Sequence, residues 1–181
     1  ADVLIAATDH PAENLVGRSL SPIAIAAYGS QELVDRDIRL GVLPGGEDNV
    51  WVDYLTDSEM SKASRRLRVA HAANARIQVR NHSLLLHLEA VRQGLGYAFL
   101  PCILAESDPG LLRVGNIPPV LGPSMWMLTH PDLRGTKRVK VFMEFVRDIF
   151  DRRAHELLGS ELNSPSLVTA ADDHKLSKDG I

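Results

Sequence analysis

Hydrophobic and polar positions change rhythm several times along the chain. From Ala75 to Asn81 they alternate, with Ile77 and Val79 on one face and Arg76, Gln78 and Arg80 on the other. That is the period of a half-buried strand. Leu84, Leu88 and Val91 then recur at i, i+4 and i+7, with Leu85 beside them, the stripe of a helix with one apolar face. Asn81 or Ser83 is placed to accept a hydrogen bond from the first free N–H groups of that helix. Gly94, able to take a positive φ, stops it. Tyr97 to Leu100 is a short apolar run, the length of a strand buried on both faces. Pro101 suits the first turn of a further helix. Strand, helix and strand within about 25 residues predict a βαβ unit and a parallel sheet.

The rest of the chain carries weaker rhythms. Asp2 to Ala7 is a short apolar strand, followed by the polar turn Thr8 to Asn14. Leu15 to Tyr28 reads as extended, with Pro22 suited to a strand edge. Ser30 caps a short helix over Gln31 to Asp35, and Leu40 to Leu43 is another short apolar run ended by Pro44-Gly45-Gly46. Asp48 to Leu55 is expected to be helical, with Val50, Trp51 and Tyr54 inward. Thr56 to Ala73 is polar, and its Arg65, Arg66 and Arg68 read as a solvated face. Asp108-Pro109-Gly110 makes a turn before a strand over Leu111 to Val114. Pro118, Pro119 and Pro123 mark an irregular return, and Met125 to Thr129 is a strand. Thr136 caps the longest helix, with Val139, Phe142, Met143, Val146, Ile149, Phe150 and Leu157 on one side. Residues 159–181 are polar and aperiodic and are expected to form a disordered tail.

Composition narrows the function. An apolar fraction of 45% over 181 residues is enough for a core, and the net charge of −3 lacks the basic excess of a DNA-gripping domain. The single cysteine, Cys102, cannot form an internal disulfide and fits a reducing compartment. No apolar run approaches the ~20 residues of a membrane span. No leader pattern opens the chain, and Ala1 stands almost at a strand start, so a fragment is expected.

No nucleophile elbow, phosphate loop or dinucleotide fingerprint is present, and the chain is not expected to be an enzyme. Gly94-Leu95-Gly96 follows a helix and precedes a strand, the reverse of a phosphate-binding turn. His82 and His87 stand five apart and point to different helix faces, so neither a metal nor another cofactor is expected. Cys102 is more simply an inert small hydrophobe than a nucleophile. A binding site is the better candidate, because ligands of open parallel sheets sit beyond the carboxyl ends of the strands. Those ends are Thr8, the group Asn81, His82 and Ser83, and Thr129 with His130. The central group also opens a helix, whose free N–H groups and positive dipole end suit a small anion such as a carboxylate. The plain alternative is that Asn81 or Ser83 caps the helix while His82 faces water.

The stretch RNHSLLLHLEAVRQGLGYAFLPCILAESDPGLLRV resembles the second subdomain of the effector-binding domain of LysR-type transcriptional regulators. ADVLIAAT…ENLVGRSLSPIAIAAYGSQEL resembles its strand, crossing strand and hinge, and MWMLTHPDLRGTKRVKVFMEFVRDIF its returning strand and last helix. The resemblance implies an α/β fold of two lobes joined by two crossing strands, like the type 2 periplasmic binding proteins, with an incomplete first lobe. Residues 1–28 and 125–158 would form that lobe and the crossing strands, Pro22 to Tyr28 and Met125 to Thr129, and 29–124 the second lobe. It further implies a cytoplasmic, oligomeric regulator (a dimer or tetramer). A small-molecule effector would bind in the inter-lobe cleft, with Thr8, Asn81, His82, Ser83 and Thr129 as candidate contacts. DNA would be met only through a helix-turn-helix that has no counterpart here. The alternative is a solute-binding protein of the same fold associated with transport.

Overall fold

The computed structural model describes residues 2–55, 57–114 and 118–159, and its longest strand, β2 (Val16–Ser30), threads the whole molecule. The first half of β2 pairs antiparallel with β7 (Val120–Thr129), Val16 opposite Thr129 and Ile25 opposite Val120, with register shifts at Ser19/Ser21 and Pro22/Ala24. β1 (Val3–Ala7) continues the sheet beyond β7, Val3 opposite Thr129 and Ala7 opposite Met125. The second half of β2 turns to β5 (Ala98–Pro101) and β6 (Leu111–Arg113), with Tyr28 opposite Ala98 and Ser30 opposite Leu111. The expected crossing segments therefore meet only at a corner. Met125 to Thr129 faces Ser21 back to Val16, while Ala26 to Tyr28 face β5.

β3 (Val50–Tyr54) and β4 (Arg76–Asn81) form a parallel pair. β3 also joins β5 at one point. Tyr97 N–H donates to the Val50 carbonyl at 2.9 Å, and Val52 N–H donates to the Tyr97 carbonyl at 2.8 Å. The βαβ unit of β4, α3 (Leu84–Arg92) and β5 exists, but β3 lies between its strands, and the larger sheet is antiparallel. Gly96 permits the junction. It has φ 155°, and the Val50 carbonyl oxygen lies 2.7 Å from where a Cβ would stand.

Residues of β2 alternate between two cores, the period-2 rule of a strand covered on both faces. Ala24, Ala26 and Tyr28 pack with Val91, Leu100, Cys102 and Ala105, under α3 and α4 (Cys102–Ala105). Ile25 and Ala27 pack with Leu33, Val34, Trp51 and Phe99, under α1 (Gln31–Arg39) and α2 (Glu59–His71). At the other end, α5 (Lys137–Arg152) and the short α6 (Ala154–Leu157) cover the first half of β2, burying Val139, Val146 and Leu157. The fold is α/β and two-lobed, the lobe built on β1 and β7 being the smaller.

Several local expectations change. Asp48 to Leu55 holds a strand rather than a helix. Trp51 to Tyr54 are all buried, and a strand buried on both faces shows no period. The apolar run Leu40 to Leu43 forms no regular element and is not buried. α1 runs on to Arg39, Gly41 turns the chain at φ 70°, and Leu40 and Leu43 are each 69% exposed. β7 begins at Val120, enclosing Pro123. The last helix breaks at Arg153 into α5 and α6. The expected tail, beyond Gly159, lies outside the described residues.

Candidate functional site

β3, β4 and β5 share a direction, so their carboxyl ends face the lobe built on β1 and β7. Pro101 at the end of β5 stands opposite Ile25, and Ile25 stands opposite Val120 at the start of β7. The end of β1 arrives at the same place, where Thr8 N–H donates to the Ser124 carbonyl at 2.9 Å and Ser124 N–H donates to Asp9 Oδ1 at 3.3 Å. Between them opens a cleft of about 190 Å³. One wall is the stripe Glu59, Ala63, Arg66 and Leu67 of α2, residues at i, i+4, i+7 and i+8 on one helix face. The other wall is Asp9 and residues 120–123 of β7, with Ile25 at the base. Gly122 keeps the base narrow, since an added Cβ would meet Ile25 Cδ1 at 2.5 Å.

The charges of α2 divide sharply. Arg68, largely buried, donates to Asp53 Oδ2 at 3.2 Å, and Arg65 donates to the Tyr54 carbonyl at 3.1 Å. The solvated face expected for the arginine cluster holds for Arg66 alone, which makes no hydrogen bond or ion pair among the described residues and lines the cleft. Glu59 is held by Lys62 at 3.1 Å. Asp9 has no cationic partner among the described residues.

The predicted central group is a helix cap. Ser83 is the N-cap of α3, its Oγ accepting from Leu86 N–H at 3.5 Å. Asn81 Oδ1 accepts from Ser83 N–H at 3.0 Å and stands 3.3 Å from Nδ1 of His87. His87 is buried and stacks flat on Tyr54, ring centroids 3.7 Å apart. Burial pushes its pKa down to about 4, against the Asp53 charge and a bond to the Val52 backbone, so the ring is neutral. His82 is exposed to solvent.

Thr8 precedes Asp9 in the chain but is not among the residues that line the cleft, and its Oγ1 accepts from His10 N–H at 3.0 Å. Thr129 is not among them either. β1 and β7 are antiparallel, so the two threonines lie at opposite ends of the pair, about 17 Å apart over five strand positions. The Thr129 hydroxyl donates to the Asp2 carbonyl at 2.6 Å. The expectation that strand ends converge assumed a uniformly parallel sheet, and β7 breaks that assumption. Asp9 and Arg66 were missed. The i, i+4, i+7 stripe around Arg66 was visible, but the loop that faces it was not. Cys102 is fully buried and its thiol is pushed up in pKa by burial, which leaves it inert. Among the described residues no His, Cys, Asp and Glu group is placed to hold a metal, and no helix is long and apolar enough to cross a membrane.

Solved structures share this architecture. The effector domain of AmpR from Pseudomonas aeruginosa matches with TM-score 0.62 and 15% identity, over 85% of this chain and 74% of that one. ArgP from Mycobacterium tuberculosis matches with TM-score 0.61 and 16% identity, over 83% of this chain and 51% of that one. The regulatory domain of CcmR from Synechocystis, solved in complex with 2-PG, matches with TM-score 0.62 and 12% identity, over 82% of this chain and 73% of that one. No sequence relative of curated function matches. The model of the LysR substrate binding domain matches residues 1–151, nearly the whole described fold, and with the two lobes threaded by β2 and β7 it shows that the chain belongs to that family.

Proposed function

We propose that this effector-binding domain senses a small metabolite carrying an anionic group, held in the cleft between Asp9, the first turns of α2 and the start of β7. The observation that carries the reading is Arg66, a guanidinium without a partner among the described residues, on the wall of the cleft between α2 and the start of β7. A free guanidinium presents several donors in a fixed fork that matches a carboxylate or phosphate. The cap of α3 offers a second contact set, with Asn81 and Ser83 orienting the first turn and His82 free at its edge. Residues 1–28 with 125–158 and residues 29–124 are the two lobes on this reading, and ligand closes one on the other. A separate helix-turn-helix of the full-length, homo-oligomeric regulator contacts DNA, which places the protein in the cytoplasm.

The test is a thermal-shift titration of the chain with a library of small carboxylates and phosphates, because a ligand bound only by the folded state raises stability by RT ln(1 + [L]/Kd). Arg66→Gln is expected to remove the shift given by the best anion while leaving the unliganded melting point in place. A shift of the same size in Arg66→Gln would overturn the placement of the site. Ser83→Ala is expected to weaken the response at a cap cost of roughly 1 kcal/mol.

A further inference from the structure

The cleft holds more than one recognition element, and the two that remain unpaired have opposite sign. Of its charged residues Glu59 is neutralised by Lys62, which leaves Asp9 on one wall and Arg66 on the other. They belong to different elements and do not join in an ion pair. A carboxylate and a guanidinium that share a cleft without meeting leave room for a molecule between them. Apolar surface lies between them, with Ile25 at the base and Leu67 and Leu121 on the two walls. About 190 Å³ is below the ~300–1,000 Å³ of ordinary ligand pockets, which suits a small occupant.

We infer that the effector is a small zwitterion of the aliphatic amino-acid class, its ammonium group on Asp9, its carboxylate on Arg66 and its side chain on the apolar surface between them. The inference rests on the proposed effector-binding reading and goes beyond it. A simple carboxylate satisfies Arg66 but sets its own charge against Asp9. A simple amine does the reverse. A ligand with both groups pairs each wall, and charge-assisted hydrogen bonds to both ends are the stronger kind. Buried salt bridges are often costly to assemble because both ions lose water. Here both residues are exposed before binding, so each retains its hydration until the ligand arrives.

The experiment is calorimetry on the 181-residue chain with each aliphatic L-amino acid, then with the deaminated acid and the decarboxylated amine of the tightest one. For L-valine these are 3-methylbutanoate and isobutylamine. The amino acid is expected to bind at least tenfold tighter than either counterpart. Asp9→Asn should erase its advantage over the acid, and Arg66→Gln its advantage over the amine. Both variants alter exposed side chains, and their unliganded melting points report that they fold. If the acid binds as tightly as the amino acid, or if no amino acid binds, the zwitterion is overturned. The effector-binding reading then still stands if an Arg66-dependent anion emerges from the library. If the tightest amino acid binds equally well to both variants, the cleft itself is the wrong site and both readings fall.

Discussion

His87 shows how a single side chain ties the cap of α3 to the core. It is sandwiched against Tyr54, faces Asn81 Oδ1, and is kept neutral by burial. The unfolded chain takes up a proton on this residue near pH 6.5, while the folded chain resists until about 4. Between those values the unfolded state binds more protons, so stability falls as the pH drops, by up to about 3 kcal/mol across the window. His87→Phe keeps a ring on Tyr54 and removes the titration. Urea unfolding at pH 4 and at pH 7 should show a smaller difference in the variant than in the parent, and an unchanged difference would show that His87 is not the titrating group. Ser64 makes a second case, since its Oγ is buried without a partner among the described residues and faces a void with no room for water. Ser64→Ala should therefore stabilise the fold by about 1 kcal/mol, read as a higher melting point. Neither environment was legible in the chain. His87 was read only as standing on a different helix face from His82. Its partners Tyr54 and Asn81 come from other strands, and the orphaned hydroxyl depends on packing that no spacing encodes.

Elements with one solvated face were legible and those without were not. β4 alternates because one of its faces is wet, and α3 shows its stripe, cap and Gly94 stop. β3 has no wet face, so Trp51 to Tyr54 looked like a helix stripe until its neighbours were known. The junction of β3 with β5 depends on Gly96, where both the positive φ and the close Val50 carbonyl exclude a side chain. Gly96→Ala is expected to cost about 1–3 kcal/mol from the backbone conformation alone, with further loss as β5 moves off β3. The same substitution at Gly135, which has open space around its Cβ position, should have little effect and serves as the control. Equal stability of the two variants would mean that the β3–β5 bridge contributes nothing.

For the whole molecule, the two-lobed α/β architecture was legible because three stretches resembled one family in the right order. The cleft was not, because its walls are a loop and a helix face more than fifty residues apart in the chain. The two ends of the molecule are also unequal in burial. Around β5 the core is closed, while α5 leaves Val141, Phe142 and Phe145 at 58%, 44% and 58% exposure and β1 leaves Leu4 and Ile5 at 44% and 40%. Exposed apolar area of this kind drives association. Phe142→Ser with Phe145→Ser is expected to reduce concentration-dependent association in light scattering, with a small change in melting point. Association that persists unchanged would show that other surface drives it. Amides of β5 should exchange more slowly than those of α5, since Val139 and Val146 are the only buried residues of that helix.

The pairing of β1 with β7 has a consequence in time. Val3 meets Thr129 and Ala7 meets Met125, partners separated by about 120 residues of chain. On the ribosome, at roughly 5–20 residues per second, β1 would wait about 6–24 s before its partner exists. The elements that close around β5 are all made in that interval, so they have the opportunity to fold first and present β2 as a finished template. The lobe that carries Asp9 then forms last, on a surface already set, and any chaperone that shields Leu4 and Ile5 must act during that delay.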